Sequence, residues 1–196
     1  MKHKSQSVSK LTASAPLPLP DVRVLQTRKN IDDAFVKLLL QRSYRNLRVS
    51  DITRKAAIGR ATFYAHFSSK DELLKSQLNR MLIPMLTPNP GSPSLINCRA
   101  LFAHVRTAPK LFHSIMGEGE ISGLRVVSAA LEAWLDKLLP QPNTTDTPLP
   151  VSLVKRFVLS TLLTIISHGL QPGSSDSAEA MQFQFEKLVS SGLASR

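Results

Sequence analysis

Cysteine is nearly absent. Cys98 is the one thiol in 196 residues, so an internal disulfide and a cysteine-based zinc site are both excluded. Cys98 reads as a small core residue. The five histidines are scattered, and His104 and His113 stand too far apart for a one-turn metal pair. No G-x-S-x-G, phosphate loop, metal-ligand cluster or credible carboxylate pair is present, so the sequence offers no enzyme signature and implies no metal and no cofactor. Lys2, His3 and Lys4 are basic, but no apolar run follows them, so no signal peptide is read and the expected location is cytoplasmic. No repeat and no strand pattern is found.

Acidic residues are also scarce, 14 against 25 Lys and Arg. Residues 1–80 hold 16 bases and 6 acids, a balance of +10, whereas residues 81–196 hold 9 and 8, a balance of +1. The positive field is therefore confined to the first 80 residues, as expected of a phosphate-binding surface. A hydrophobic content of 42% is enough for a core. One large or two small domains fit the length.

The stretch from Leu47 to Leu74 organises the chain. Ser50 stands where an N-cap would open a short helix, before the i, i+4 apolar pair Ile52 and Ala56. Gly59 is a poor helix residue but accepts a turn or N-cap conformation. Arg60 to His66 then makes about two turns, with Phe63 and Phe67 on one face. Ser69-Lys70-Asp71-Glu72 is a capping box that starts the next helix. Two helices joined by a short Gly-containing turn describe a helix-turn-helix. Opposite the two phenylalanines lie Arg60, Ala61, Thr62, Tyr64 and His66. Arg can donate to guanine, Thr to base or phosphate, and Ala can meet the thymine methyl. The Tyr64 hydroxyl suits a phosphate oxygen, and Lys70 lies in a helix first turn, where anions bind.

Val49-Ser50-x-Ile52 followed by Ala56-x-Ile58-Gly59-x-x-Thr62-Phe63-Tyr64-x-His66-Phe67-x-x-Lys70-x-Glu72-Leu73-Leu74 resembles the TetR/AcrR transcriptional regulators. The resemblance covers about residues 27–82. Gly59 departs from it, since many members carry Ser or Thr there.

Around this unit the chain divides into three expected parts: a basic, Pro-rich tail over residues 1–22, a helix-turn-helix DNA-binding domain over 23–69, and a helical ligand-binding and dimerisation domain over 70–196. The expected fold is all-α. Two readings of the tail stand, a disordered segment without a role and an arm whose Lys2, Lys4 and Lys10 touch DNA. A first helix is expected over 27–41, N-capped by Thr27, with Ile31, Ala34, Phe35, Leu38 and Leu39 on its apolar face. Thr27 and Arg28 at its start, with Arg48 and Ser50, complete the expected DNA contacts. A fourth helix should run from Lys70 to about Leu86, ending at the Pro-rich segment 87–94. Further helices are expected over 95–107, 109–116, 121–139, 151–170 and 178–193. The 151–170 segment is apolar on nearly every side, yet Lys155, Arg156 and His168 interrupt it, and it is short for a membrane span of ~20 residues. No membrane association is expected.

The resemblance implies that the last two helices pair with those of a second copy, and that a small-molecule pocket lies in the C-terminal half. Pocket candidates are Phe102, Val105, Phe112, Met116, Leu131, Trp134 and Phe157, with Leu101, Ile115 and Leu162 beside them and His104, His113 and His168 as polar anchors. Each apolar candidate reads first as ordinary core, and each histidine alternatively as hydrogen-bonded or exposed. The expected function is a sequence-specific DNA-binding transcriptional regulator, a homodimeric repressor released from double-stranded operator DNA by a small, mainly apolar effector. The alternative is a non-specific or effector-independent architectural DNA binder.

Overall fold

The structure is a computed structural model that describes residues 22–92, 94–117, 119–138 and 149–193. The tail expected over 1–22 falls outside these residues except for Val22, as does most of the proline loop at 140–150. Among the described residues there are nine α-helices: α1 Val22–Leu39, α2 Val49–Ala56, α3 Arg60–His66, α4 Lys70–Gln77, α5 Arg99–Thr107, α6 Pro109–Met116, α7 Ile121–Leu138, α8 Val151–Gly169 and α9 Ala178–Leu193. The protein is all-α in architecture, with an N-terminal helix-turn-helix and a helical remainder.

The first three helices close over Ile31, Phe35, Leu38, Leu47, Ile52, Phe63 and Phe67, all buried. Ile31, Phe35, Leu38, Ile52 and Phe63 are apolar positions of the helices themselves, while Leu47 and Phe67 enter from extended residues just before α2 and just after α3. Tyr44, in a short 3-10 turn at Tyr44–Asn46, joins it with no exposed surface. Its ring meets Phe35 edge-on at 6.3 Å.

Three boundaries differ from those expected. Helix α1 starts at Val22, not Thr27; nothing between the two breaks a helix, and the Thr27 hydroxyl donates to the Arg23 carbonyl one turn back at 2.8 Å. The fourth helix does not run evenly to Leu86. It widens into a π turn over Leu78–Leu82 and tightens into a 3-10 turn over Ile83–Met85. Pro84 explains the change, because its ring lacks an N–H and crowds the carbonyl four residues earlier. Finally, residues 95–97 are not helical. Thr87–Asn89 (β1) and Leu95–Asn97 (β2) pair antiparallel, Pro88 opposite Ile96, which corrects the absence of strands. Asn97 sets the start of α5 instead: its side-chain oxygen accepts from the Arg99 N–H at 3.0 Å. Ile96 and Cys98 are then buried, and the Cys98 N–H donates to Gln182 of α9 at 2.8 Å. Burial pushes the Cys98 thiol pKa far up, which keeps it neutral.

Helices α8 and α9 form a close pair. A Cβ on Gly169 would lie 2.5 Å from the Met181 methyl, and one on Gly192 2.3 Å from the Phe157 ring, so small residues at both ends let the helices approach. By length and hydropathy α8 meets the measure of a membrane span. It is not apolar all round, however. Val154, Val158, Leu162, Ile165 and Ile166 are buried, while Ser152, Arg156, Ser160, Thr164 and Ser167 are exposed. That is the pattern of a core helix with one open face.

Candidate nucleic-acid interface

Helix α2 opens two residues earlier than the sequence suggests. Arg48 is the N-cap, and its N–H donates to the Asp51 carboxylate at 3.1 Å. Ser50, expected in that role, lies inside the first turn and is half-buried, its carbonyl accepting from the Thr53 hydroxyl at 3.2 Å. The helix stops at Ala57, which adopts φ 55 and ψ 44 in the left-handed region. Gly59 is extended and opens α3 without a side-chain cap. The tight turn thus rests on Ala57 and not on the glycine.

Helix α3 is short, and its two sides differ sharply. Phe63 is fully buried and Phe67, just past its end, nearly so. Arg60, Ala61, Thr62, Tyr64 and Ala65 are exposed and His66 is half-buried. Tyr64 keeps 54% of its surface, although its ring leans edge-on against Phe63 at 5.6 Å. The exposed side offers a guanidinium, two hydroxyls and two methyl-sized residues, a set that matches base edges and phosphates in a major groove. Ala65 was missed in sequence, because a residue between the phenylalanines and the polar positions carries no chemical signal. Arg48, Arg54 and Lys55 of the neighbouring α2 are also exposed; Arg54 and Lys55 were legible only through the charge balance.

Two other expected contacts turn inward. The Lys70 ammonium donates to the carbonyls of Tyr44 at 2.9 Å, Leu47 at 3.0 Å and Arg45 at 3.4 Å, and sits 4.4 Å from the Tyr44 ring centre. It therefore fastens α4 to the 3-10 turn. Partial burial lowers its pKa. The Arg28 guanidinium stacks over Phe67 at 5.1 Å and donates to the Ser76 hydroxyl at 2.7 Å, tying α1 to α4 behind the recognition helix. Thr27, next to it, bonds within its own helix. At the start of α4 the Ser69 hydroxyl caps the Glu72 N–H at 3.1 Å, while Glu72 accepts from the N–H and hydroxyl of Ser68. Those bonds hold the Glu72 carboxyl below its usual range.

A polar cluster joins this unit to the rest. The Tyr44 hydroxyl donates to Asp71, and the Arg45 N–H donates to Glu120 at 2.9 Å. Arg125 of α7 approaches Asp71 at 3.6 Å. Burial first, and then the Asp71 hydrogen bond and charge, push the Tyr44 phenol far above its ordinary value.

The expected pocket residues disperse. Phe112, Met116 and Leu131 do meet, around a small void of about 20 Å³. Phe102 and Val105 are fully buried core, Phe102 against Phe185 at 6.4 Å. Trp134 is half-buried against the core. Phe157 belongs to the α8–α9 seam, and His168 is on the surface, 3.6 Å from Asp176. His113 bonds the Leu170 carbonyl at 2.8 Å. A larger cavity of about 240 Å³ adjoins that void between α1, α4, α5 and α6, and Phe112, Ile115 and His104 are among its lining. Among the described residues no three His, Cys, Asp or Glu side chains gather as a metal site.

A basic surface carrying a short exposed helix on a two-phenylalanine footing, behind a tight turn from α2, is a helix-turn-helix of the DNA-binding regulator class. Residues 31–76 match the family model of the bacterial regulatory proteins, tetR family, so the helix-turn-helix segment is similar to that of TetR-type regulators. Over 61 residues it is 44% identical to the uncharacterized HTH-type transcriptional regulator YxbF of Bacillus subtilis (strain 168), covering 31% of this chain and 16% of the relative. Over 62 residues it is 39% identical to YwcC of the same organism, covering 29% and 28%. An HTH-type regulator of Haemophilus influenzae is 39% identical over 56 residues, covering 26% and 27%. The chain thus spans under a third of each of these relatives. Its fold is similar through most of its length to a TetR transcriptional regulator from Streptococcus agalactiae 2603V (TM-score 0.58, 21% identity, 86% of this chain and 96% of that one). It is also similar to the dihydroxyacetone kinase operon activator DhaS (TM-score 0.52, 22% identity, 85% and 96%).

Proposed function

We propose that this protein is a sequence-specific regulator of transcription, a cytoplasmic homodimer that represses from a double-stranded operator and is released by a small, mainly apolar effector. The observation that carries the DNA reading is α3: five of its seven residues face solvent while Phe63 anchors it from below. Arg60, Thr62 and Tyr64, with Arg48, Arg54 and Lys55 around them, form the contact surface. Lys70 and Arg28 act as positioning residues that hold α3 at its angle.

Dimerisation has support in the exposed apolar side chains of the last two helices. Leu153 keeps 51%, Phe183 67% and Leu188 49% of its surface. Two-fold pairing sets two recognition helices against two half-sites. An effector acts by favouring a dimer geometry in which those helices no longer match the half-sites.

Selection of duplexes from a random pool, followed by competition binding with base-substituted versions, tests the reading. One preferred, pseudo-palindromic sequence is expected. Equal affinity for all duplexes, with a steep salt dependence, would instead identify an architectural binder.

A further inference from the structure

The cavity of about 240 Å³ has a lining that helix periodicity does not reveal. One wall is α1, through Phe35 and Leu39. The opposite wall is α4 and its π turn, through Leu74 and Leu78, and α6 closes it with Phe112 and Ile115. It therefore spans the junction between the DNA-binding helices and the remainder, and the expected pocket candidates Phe112, Ile115 and His104 form its C-terminal side.

The lining is almost wholly hydrocarbon. Its amide residue, Gln77, is committed on both ends: its nitrogen donates to Asp32 of α1, and its oxygen accepts from Arg80 at 3.0 Å. Asp32 in turn holds Arg80 at 2.7 Å. His104 turns its ring edge-on to Phe112 at 5.7 Å. Among the described residues no charged side chain lines the cavity, so an ionised guest would lose hydration there without compensation. A dry apolar cavity of ~150 Å³ accepts benzene, and this one is larger.

We propose that this junction cavity binds a neutral, nonpolar small molecule of the size of an alkyl-substituted benzene, and that it is where the effector of the regulator acts. The assignment rests on the effector-controlled reading above. A guest would touch α1 and α4 at once, and so would bear directly on how the recognition unit is seated.

Thermal unfolding with n-butylbenzene tests it, with 4-butylbenzoate as the charged counterpart. The wild-type melting temperature should rise by about 5 °C at a hundredfold excess over the dissociation constant, and 4-butylbenzoate should give no rise. Ile115→Phe, which fills the cavity, should abolish the response. Val36→Phe, at a half-exposed position of the wall, should do the same and is the variant more certain to fold. No rise in wild type, the same rise in both folded variants, or an equal response to the carboxylate would each overturn the assignment. Binding of selected duplex without any probe is measured in parallel. Its loss would count against the DNA reading, while n-butylbenzene binding with intact DNA recognition keeps the two questions separate.

Discussion

Glu120 and Arg45, 75 positions apart in sequence, are joined by a hydrogen bond of 2.9 Å from the Arg45 N–H to the Glu120 carboxylate. Glu120 is 5% exposed and stands just before α7, where its other oxygen faces the Gly123 N–H at 3.4 Å. One buried carboxylate thus fastens the N-terminus of α7 to the turn that precedes α2. Lys70 grips that turn from the α4 side through three carbonyls. The seating of the recognition unit is therefore set from two helices, α4 and α7.

Glu120→Ala removes an acceptor and leaves the Arg45 N–H and the start of α7 unsatisfied. A loss of about 1–3 kcal/mol in unfolding free energy is expected. Urea denaturation measures it, and a change below about 0.5 kcal/mol would mean that water replaces the carboxylate without cost.

Alkaline pH provides a second handle. The Tyr44 phenol has a raised pKa in the folded protein, because it is buried and bonded to Asp71. Its contribution is complete below the ordinary phenol value of about 10. Above that pH the unfolded chain loses the proton first, so stability falls by up to about 1.4 kcal/mol per pH unit. The lowered pKa of Lys70 acts with the opposite sign, its contribution becoming more favourable as pH rises towards the ordinary lysine value. Because Lys70 is present in both proteins, its effect largely cancels in the comparison of wild type with Tyr44→Phe. The wild type should lose its advantage over Tyr44→Phe as pH rises beyond about 10. A constant difference across pH 8 to 11, roughly the range that brackets the free phenol, would contradict the burial of the hydroxyl.

Ala57 carries the left-handed turn at φ 55, a conformation that costs an L-residue about 1 kcal/mol and glycine almost nothing. Ala57→Gly should raise stability by up to about 1 kcal/mol, less the entropy glycine adds to the unfolded chain. Gly59, extended and with only Thr62 Oγ1 at 3.9 Å from a built Cβ, should accept Ser and gain a few tenths of a kcal/mol from the cap. Thermal melts of both variants check this, and a large loss in either would place the turn elsewhere.

Gly123 stands where α7 crosses α6. A Cβ there would lie 2.1 Å from the Ile115 carbonyl oxygen, which is backbone and has little freedom to move. Gly123→Ala should destabilise by about 1–3 kcal/mol or more. A neutral effect would show that the two helices are farther apart than described.

The helix-turn-helix was legible in sequence because its determinants are local. Ile52 and Ala56 lie one turn apart in α2, Phe63 and Phe67 one turn apart in α3 and its C-cap, and periodicity places each pair on one side. The roles of Lys70 and Arg28 were not legible. Their partners, the carbonyls of Tyr44, Arg45 and Leu47 and the Phe67 ring, are 23 to 39 residues away or belong to backbone that has no sequence signature. The same holds for the cavity. Phe35 and Leu39 satisfied the expected DNA-binding core, and nothing in their spacing showed that the far side of α1 also faces α6. Ile96 misled for another reason: a single apolar residue before a helix fits either an added turn or a strand, and the Asn97 side chain, which accepts from the Arg99 N–H, decides.

The central claim is that the exposed side of α3 reads bases, and fluorescence anisotropy on a selected duplex and a scrambled one, across a salt series, tests it most directly. Wild type should favour the selected duplex by about 10³-fold or more. Arg60→Ala should collapse that ratio while leaving the salt slope reduced by no more than about one unit, and Tyr64→Phe should weaken both duplexes alike. Equal binding of wild type to the two duplexes, or an undiminished ratio in Arg60→Ala together with Thr62→Ala, would contradict the claim.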